Sequence, residues 1–251
     1  MMRFVILGAG TAIPATAHSP AGIYVHIGRE HVLLDAGAGT LQRLQAAGLP
    51  WHQLDRVFLT HYHLDHCLDL ASILFALRLP DVGRRKPLMV YGPPGLTRLY
   101  RQLNTAFHGW IAPRGFRLIL KEVSQTTVRL PGYAVQTRRM RHDDTGAVGY
   151  RLTGQGRSLA YSGDTDVCEE VVELGRHADA FILECSVPDE RKAAGHLTPS
   201  ECGRLAAAAR CRHLILTHFY PVFQGDDIRG RVRRAYQGRL TLARDFTRVI
   251  L

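Results

Sequence analysis

The sequence predicts an α/β fold in which two similar halves pack as one domain spanning residues 1–251. Three observations lead there. Short apolar runs of strand length alternate with stretches of helical spacing along the whole chain. Strands followed by helices occur twice. With 251 residues, 46% hydrophobic and 22% charged, the chain can bury a sizeable core, and it contains no linker or low-complexity segment.

Arg3–Leu7 reads as the first strand. Gly8, Gly10 and Pro14 follow at once, so the run does not read as a signal peptide, and we expect a cytoplasmic protein. Gly22–Ile27 and His31–Asp35 read as two strands joined by a tight turn at Gly28-Arg29-Glu30. Arg56–Thr60 is a further strand that stops at the first of a group of histidines. Leu68–Leu79 places Leu68, Ala71, Leu74, Phe75 and Arg78 at helical spacing among apolar neighbours, which predicts a mostly buried helix. Leu88–Tyr91 is a short strand closed by Gly92-Pro93-Pro94-Gly95, and Leu96–Phe107 should be helical. In the second half, Tyr133–Arg138, Ala147–Thr153 and Ser158–Ser162 read as strands, the last two joined at Gly154-Gln155-Gly156. Ala180–Glu184 and His213–Thr217 are of buried-strand type. Thr198-Pro199-Ser200-Glu201 has a capping-box pattern with proline at the first helical position, so a helix runs from it through Ala209. Leu240–Leu251 is expected to end the chain as one strand.

Composition excludes some functions. No stretch approaches the roughly 18 apolar residues that a membrane span needs, so no membrane partner is expected. Five cysteines without C-x-x-C spacing fit neither a zinc knuckle nor a disulfide framework, and read as small buried apolar side chains. The formal charge of +10 favours polyanionic partners such as nucleic acid or phosphorylated substrates.

The chemistry concentrates in Thr60-His61-Tyr62-His63-Leu64-Asp65-His66, directly after a predicted strand. Imidazole and carboxylate suit zinc and similar borderline metals. At strand-like geometry His61 and His63 point the same way and can share one metal, while Asp65 and His66 on the following turn can reach a second. A bimetallic site needs more ligands, and His142, Asp164 and His218 each follow a predicted strand. Asp164, with two oxygens, is the candidate bridge.

The H-x-H-x-D-H at His61–His66 with downstream His142, Asp164 and His218 resembles the metallo-β-lactamase superfamily, and within it ribonuclease Z. Leu7-Gly8-Ala9-Gly10-Thr11-Ala12-Ile13-Pro14 is similar to that family's glycine-rich start. Asp35-Ala36-Gly37-Ala38-Gly39-Thr40 is similar to its D-C-G-E-G-T, with Ala36 and Ala38 as departures. Leu88–Gly95, Gly195-His196 and Leu216-Thr217-His218-Phe219 match further segments, so the similarity runs nearly the whole length. The resemblance implies an αββα four-layer sandwich with its metals at the edge between the halves. It implies two Zn2+ ions, with Mn2+ or Fe2+ as alternatives. His61, His63 and His142 would hold one; Asp65, His66 and His218 the other; Asp164 would bridge. Asp65 would also orient the nucleophile and accept its proton. Glu184 matches the glutamate of the family's H-E-A-T segment, where Leu183 replaces the histidine, and His196 matches a histidine that assists the phosphate and leaving group. A homodimer is carried over from the family as an expectation.

One departure limits the resemblance. Bacterial ribonuclease Z grips transfer RNA with an arm between the third histidine motif and the bridging aspartate. Here His142 and Asp164 are only 22 residues apart, and the expected strand–turn–strand Ala147–Ser162 fills the interval. The expected function is therefore hydrolysis of phosphodiesters, RNA or small ones, with specific transfer-RNA maturation in doubt. Two rival classes stay open at this point: a lactonase or other hydrolase of C–O or C–N bonds, and a metal-binding nucleic-acid binder without catalysis.

Overall fold

Side chains alternate across a strand, so a strand covered on both faces needs apolar residues at nearly every position. Strand β1 (Met2–Gly8) is such a run: Phe4 and Ile6 enter one hydrophobic cluster, Val5 and Leu7 another. Strand β11 (Ala180–Glu184) repeats the division, with Ala180 and Ile182 in the first cluster and Phe181 and Leu183 in a third. The three clusters are the three interfaces of a four-layer arrangement: helices, sheet, sheet, helices.

A computed structural model describes residues 1–143, 146–223 and 227–251. Its first sheet has the order β14 (Thr247–Ile250), β1, β2 (Gly22–Ile27), β3 (Glu30–Ala36), β4 (Arg56–Phe58), β5 (Leu88–Gly92), β6 (Leu118–Glu122). The second has the order β13 (Arg239–Leu242), β12 (His213–Thr217), β11, β10 (Arg157–Tyr161), β9 (Ala147–Gly154), β8 (Tyr133–Met140), β7 (Thr127–Leu130). In the first sheet the pairs from β14 to β3 are antiparallel and those from β3 to β6 parallel. In the second the pairs from β7 to β10 are antiparallel and those from β10 to β13 parallel. This shared pattern is the physical content of the two similar halves. Helices α1 (Thr40–Ala46), α2 (Leu64–Cys67), α3 (Asp69–Leu77) and α4 (Leu96–Ala106) belong to the first half. Helices α5 (Glu169–Gly175), α6 (Pro199–Ala209) and α7 (Ile228–Arg233) cover the second sheet.

One sequence expectation needs correction. Leu240–Leu251 is not one strand. Leu240 pairs with Leu214 in the second sheet, and Val249 pairs with Phe4 in the first. Between them Asp245 accepts the amides of Ala9 and Ser19, both at 2.9 Å, and pairs with Arg43 at 2.6 Å. Phe246 at φ +65° breaks the extended backbone there. No glycine or proline marks the break, which is why the run reads as continuous. The helix expected over Leu68–Leu79 forms and is mostly buried, with its exposed positions on one side. Leu70, Ala71, Ile73, Leu74 and Leu77 of α3 are inside, but Phe75 is 41% exposed and the flanking Leu68 and Leu79 are about equally so. Helices α1, α5 and α7 and strands β6 and β7 were not anticipated; their sequences are too polar or too short to show a clear period. The capping box of α6 is formed, with the Thr198 amide donating to Glu201 at 3.0 Å.

An ion pair within the first sheet is also tied to the second by a hydrogen bond. Glu30 on β3 accepts from Arg56 Nε and Nη2, both at 2.7 Å, and from the Tyr133 hydroxyl of the opposite sheet at 2.5 Å. Burial pushes the Glu30 carboxyl up, but hydrogen bonds from Arg56 and Tyr133 outweigh it and hold the group below its ordinary 4.5. A depressed carboxylate stabilises the fold above its unfolded pKa and loses that contribution as pH falls through the folded one. Glu30→Ala is therefore expected to cost about 3 kcal/mol in urea unfolding at neutral pH, because it strands a buried Arg56. The gap from wild type should narrow on acidification below 4.5. A gap independent of pH would contradict this account.

Candidate metal centre

Strands β8, β10, β11 and β12 all run in one direction, so their C-terminal ends share an edge. His142 follows β8, Asp164 follows β10, Glu184 ends β11 and His218 follows β12. From the facing sheet, the segment after β4 brings in His61 and His63, and α2 carries Asp65 and His66. The edge between the sheets thus collects every residue singled out as a ligand.

The seven fall into two groups. His61 Nε2 lies 3.1 Å from His63 Nδ1, which lies 3.2 Å from His142 Nε2. His66 Nε2 lies 3.1 Å from His218 Nε2, and Asp65 Oδ2 lies 3.4 Å from His218 Nε2. Asp164 stands between them. Its Oδ2 is 3.9 Å from both His61 Nε2 and His142 Nε2, and its Oδ1 is 3.3 Å from His66 and 3.4 Å from His218.

The second nitrogen of each ring fixes its tautomer. His66 Nδ1 donates to Asp35 at 2.8 Å and His142 Nδ1 to the Gly195 carbonyl at 2.9 Å. The Thr60 hydroxyl donates to Asp35 at 2.9 Å, so its oxygen accepts from His61 Nδ1 at 3.0 Å. His63 is turned round: its Nε2 faces Asp143 at 3.3 Å, leaving Nδ1 toward the cluster. Each of these rings therefore points a lone pair inward. Lone pairs at about 3 Å repel unless a cation lies among them, and Asp164 Oδ1 is buried with no hydrogen-bond donor among the described residues. Both facts, with the all-nitrogen-and-carboxylate donor set, fit divalent metal ions. The electrostatics agree. Burial, reinforced by the neighbouring His66, holds His61 well below 6.5, and Asp164 lies well below the usual carboxylate range because His218 and His66 outweigh its burial.

Two close approaches need glycine. A Cβ on Gly37 would fall 2.0 Å from the Asp65 carbonyl oxygen, so the turn after β3 can pack on α2 only without a side chain. Gly195, at φ +80°, would place a Cβ 2.7 Å from the His142 carbonyl oxygen and 3.0 Å from its Nδ1.

Glu184 and His196 sit beside this cluster. His196 Nδ1 is 3.2 Å from Glu184 Oε1 and 4.0 Å from Asp164 Oδ2. Burial pushes the His196 ring down, but the hydrogen bond and charge of Glu184 outweigh it and hold the ring above 6.5. Sequence reasoning missed the residues that grip the far sides of the rings. Asp35 takes the Thr60 amide at 2.7 Å and the Tyr161 hydroxyl at 2.8 Å besides His66, and Ser186 touches both Glu184 and His218. Asp35, at φ +57°, and Ser186 each lie in a motif-like segment, Asp35-Ala36-Gly37 and Glu184-Cys185-Ser186. Membership of those segments was the available signal.

The family model described as "Beta-lactamase superfamily domain" matches residues 30–219. Ribonuclease Z of Streptomyces coelicolor is 28% identical over 297 aligned positions, covering 98% of this chain and 97% of the relative. Among solved structures, the metallo-β-lactamase fold protein YhfI from Bacillus subtilis superposes with a TM-score of 0.84 at 22% identity, covering 99% of this chain and 98% of that one. The short form of human tRNase Z gives 0.81 at 24% identity, again covering 99% and 98%.

Proposed function

We propose a function from the premise that this chain belongs to the metallo-β-lactamase superfamily and is ribonuclease Z-like within it. It is a metal-dependent hydrolase of phosphodiester bonds. In finer terms, we assign it a pair of Zn2+ ions, with Mn2+ or Fe2+ as substitutes. His61, His63 and His142 would hold one and Asp65, His66 and His218 the other, with Asp164 between them. Residues 1–251 act as one domain, since β14 from the end of the chain completes the sheet that β1 begins. Among the described residues no helix is long and apolar enough to cross a membrane. We assign the protein to the cytoplasm, as expected from its sequence.

When bound, the metal pair supplies a nucleophile by lowering the pKa of water and polarises the bond under attack. The remaining work belongs to side chains. Asp65, 3.4 Å from His218 Nε2, orients the nucleophile and accepts its proton. His196 donates a proton to the departing oxygen or stabilises phosphoryl charge. Glu184 holds His196 Nδ1, which leaves Nε2 as the donor. The carrying observation for a phosphodiesterase is this Glu184–His196 pair at the edge of the metal ligands, because a leaving alkoxide needs an acid there. The test is turnover of bis-p-nitrophenyl phosphate against a homoserine lactone by the metal-reconstituted protein. Diester cleavage abolished by a chelator, with little lactone opening, is expected. Robust lactone opening without diesterase would move the assignment to the C–O hydrolases, and nucleic-acid binding without turnover of either would leave a non-catalytic binder.

For substrate we infer RNA and small phosphodiesters, and for quaternary partner a second copy. Leu64, Leu68 and Phe75 recur at spacings of four and seven along α2 and α3, so they form one exposed row beside Trp110, which is 56% exposed. A helix apolar on both faces is ordinarily covered on both. The row carries no charge, which suits a like surface better than a phosphate backbone. Phe75→Glu is expected to shift the protein to monomer in light scattering while leaving its circular dichroism unchanged. A wild-type protein that is monomeric at high micromolar concentration would refute the dimer.

A further inference from the structure

We propose that Ser186 is a positioning residue whose hydroxyl sets the His218 ring with Nε2 toward the metal ligands and joins that ring to Glu184 and His196. The inference rests on the metal-site reading above. The Ser186 hydroxyl has one hydrogen and two contacts. Its Oγ donates to Glu184 Oε2, and His218 Nδ1 lies 2.9 Å away. Both oxygens of Glu184 already accept backbone amides, Oε1 from Thr165 at 2.6 Å and Oε2 from Leu197 at 3.1 Å, so the carboxylate is the acceptor toward Ser186 as well. With its hydrogen committed, Ser186 Oγ can only accept from His218, which places the ring hydrogen on Nδ1 and the lone pair on Nε2. Only that tautomer can face Asp65, Asp164 and His66 as a ligand.

Among the described residues His218 Nδ1 has no other hydrogen-bond partner. Ser186 and Glu184 are 0% and 1% exposed and His218 is 2% exposed, so bulk water does not reach the contact. His218 sits at φ +62°, a backbone conformation that an imidazole residue adopts at a cost and that does not itself fix the ring. The main chain of Ser186 adds to the coupling. Its amide donates to the Leu197 carbonyl at 3.0 Å, and its carbonyl accepts from the Tyr220 amide at 3.3 Å. One residue thus holds the segment that carries His196 and the segment that carries His218. A hydrogen-bonded chain runs from His218 through Ser186 and Glu184 to His196.

The test is metal affinity, read by competition with a chromophoric chelator, and the absorption spectrum of the Co2+-loaded protein. Ser186→Ala is expected to weaken one of the metals by about 10–100-fold, the range for losing the partner of a ligating histidine, and to alter the Co2+ spectrum. The other metal should bind as in wild type. Ser186→Thr, which keeps the hydroxyl, should restore both. If Ser186→Ala does not fold, Ser186→Cys keeps the volume with a much weaker donor and acceptor and should show the same selective loss. Wild-type affinity at both sites and an unchanged spectrum in Ser186→Ala or Ser186→Cys would overturn this inference alone. A wild-type protein that binds no metal would overturn the metal-site reading and this inference with it.

Discussion

Asp65→Ala is expected to lower kcat on bis-p-nitrophenyl phosphate by about three orders of magnitude, within the range for losing a positioned base, and to leave folding nearly intact. The side chain is 8% exposed and points into the cluster, where His66 and His218 lie 3.8 and 3.4 Å from its Oδ2. It makes no hydrogen bond to the main chain among the described residues, so its removal breaks no backbone contact. The residue lies within α2, where alanine is the better helix former. The close approach of the Asp65 carbonyl to Gly37 involves main chain alone, and the substitution keeps it. Steady-state kinetics, metal content and thermal melting on one preparation separate the cases. A variant with near-normal kcat and a full metal complement would remove Asp65 from the reaction.

The second large effect concerns substrate choice. The stretch from His142 to Asp164 is occupied by β9 and β10, paired through Gly154 and Arg157 with two residues turning between them. No extended arm arises from residues 146–163. The alignment to the Streptomyces coelicolor enzyme spans 297 positions against 251 residues here, so that relative carries segments this chain lacks. Hydrolysis of small activated diesters should therefore proceed, while precursor transfer RNA is processed slowly and with weak site selectivity. Residual RNA binding should come from arginine–phosphate contacts and fall steeply as salt rises. His196→Ala divides the chemistry further. Loss of a general acid costs about 10²–10⁴ in rate where the leaving oxygen needs a proton. p-Nitrophenolate departs without one, so an activated diester should lose much less. Equal losses on alkyl and p-nitrophenyl diesters would exclude His196 as the acid. Efficient trimming of a transfer-RNA 3′ end at physiological salt would show that the arm is dispensable.

What the sequence disclosed follows from how local each feature is. His61, His63, Asp65 and His66 stand within six positions, so their shared chemistry is visible without any tertiary information. His142, Asp164 and His218 become visible only as a set, because each follows a strand whose apolar run marks its end. Asp35, Tyr161, Thr60 and Ser186 act on the far sides of the rings. Asp35 is 31 residues from the His66 it holds and 126 from the Tyr161 that holds it, distances at which no spacing rule operates. The terminal strand went wrong for a related reason. An apolar run records burial but not which sheet receives it, and only the pairings of Leu240 with Leu214 and Val249 with Phe4 decide that. Phe75 shows the converse limit, since helical spacing reveals an apolar face without revealing whether this chain or another covers it.

Metal stoichiometry tests the central claim most directly. Elemental analysis of protein reconstituted with excess divalent metal and then desalted should give about two ions per chain, falling in Asp164→Ala, whose two oxygens face the two groups of ligands. Retention of no transition metal by the folded wild-type protein would contradict the account at its root.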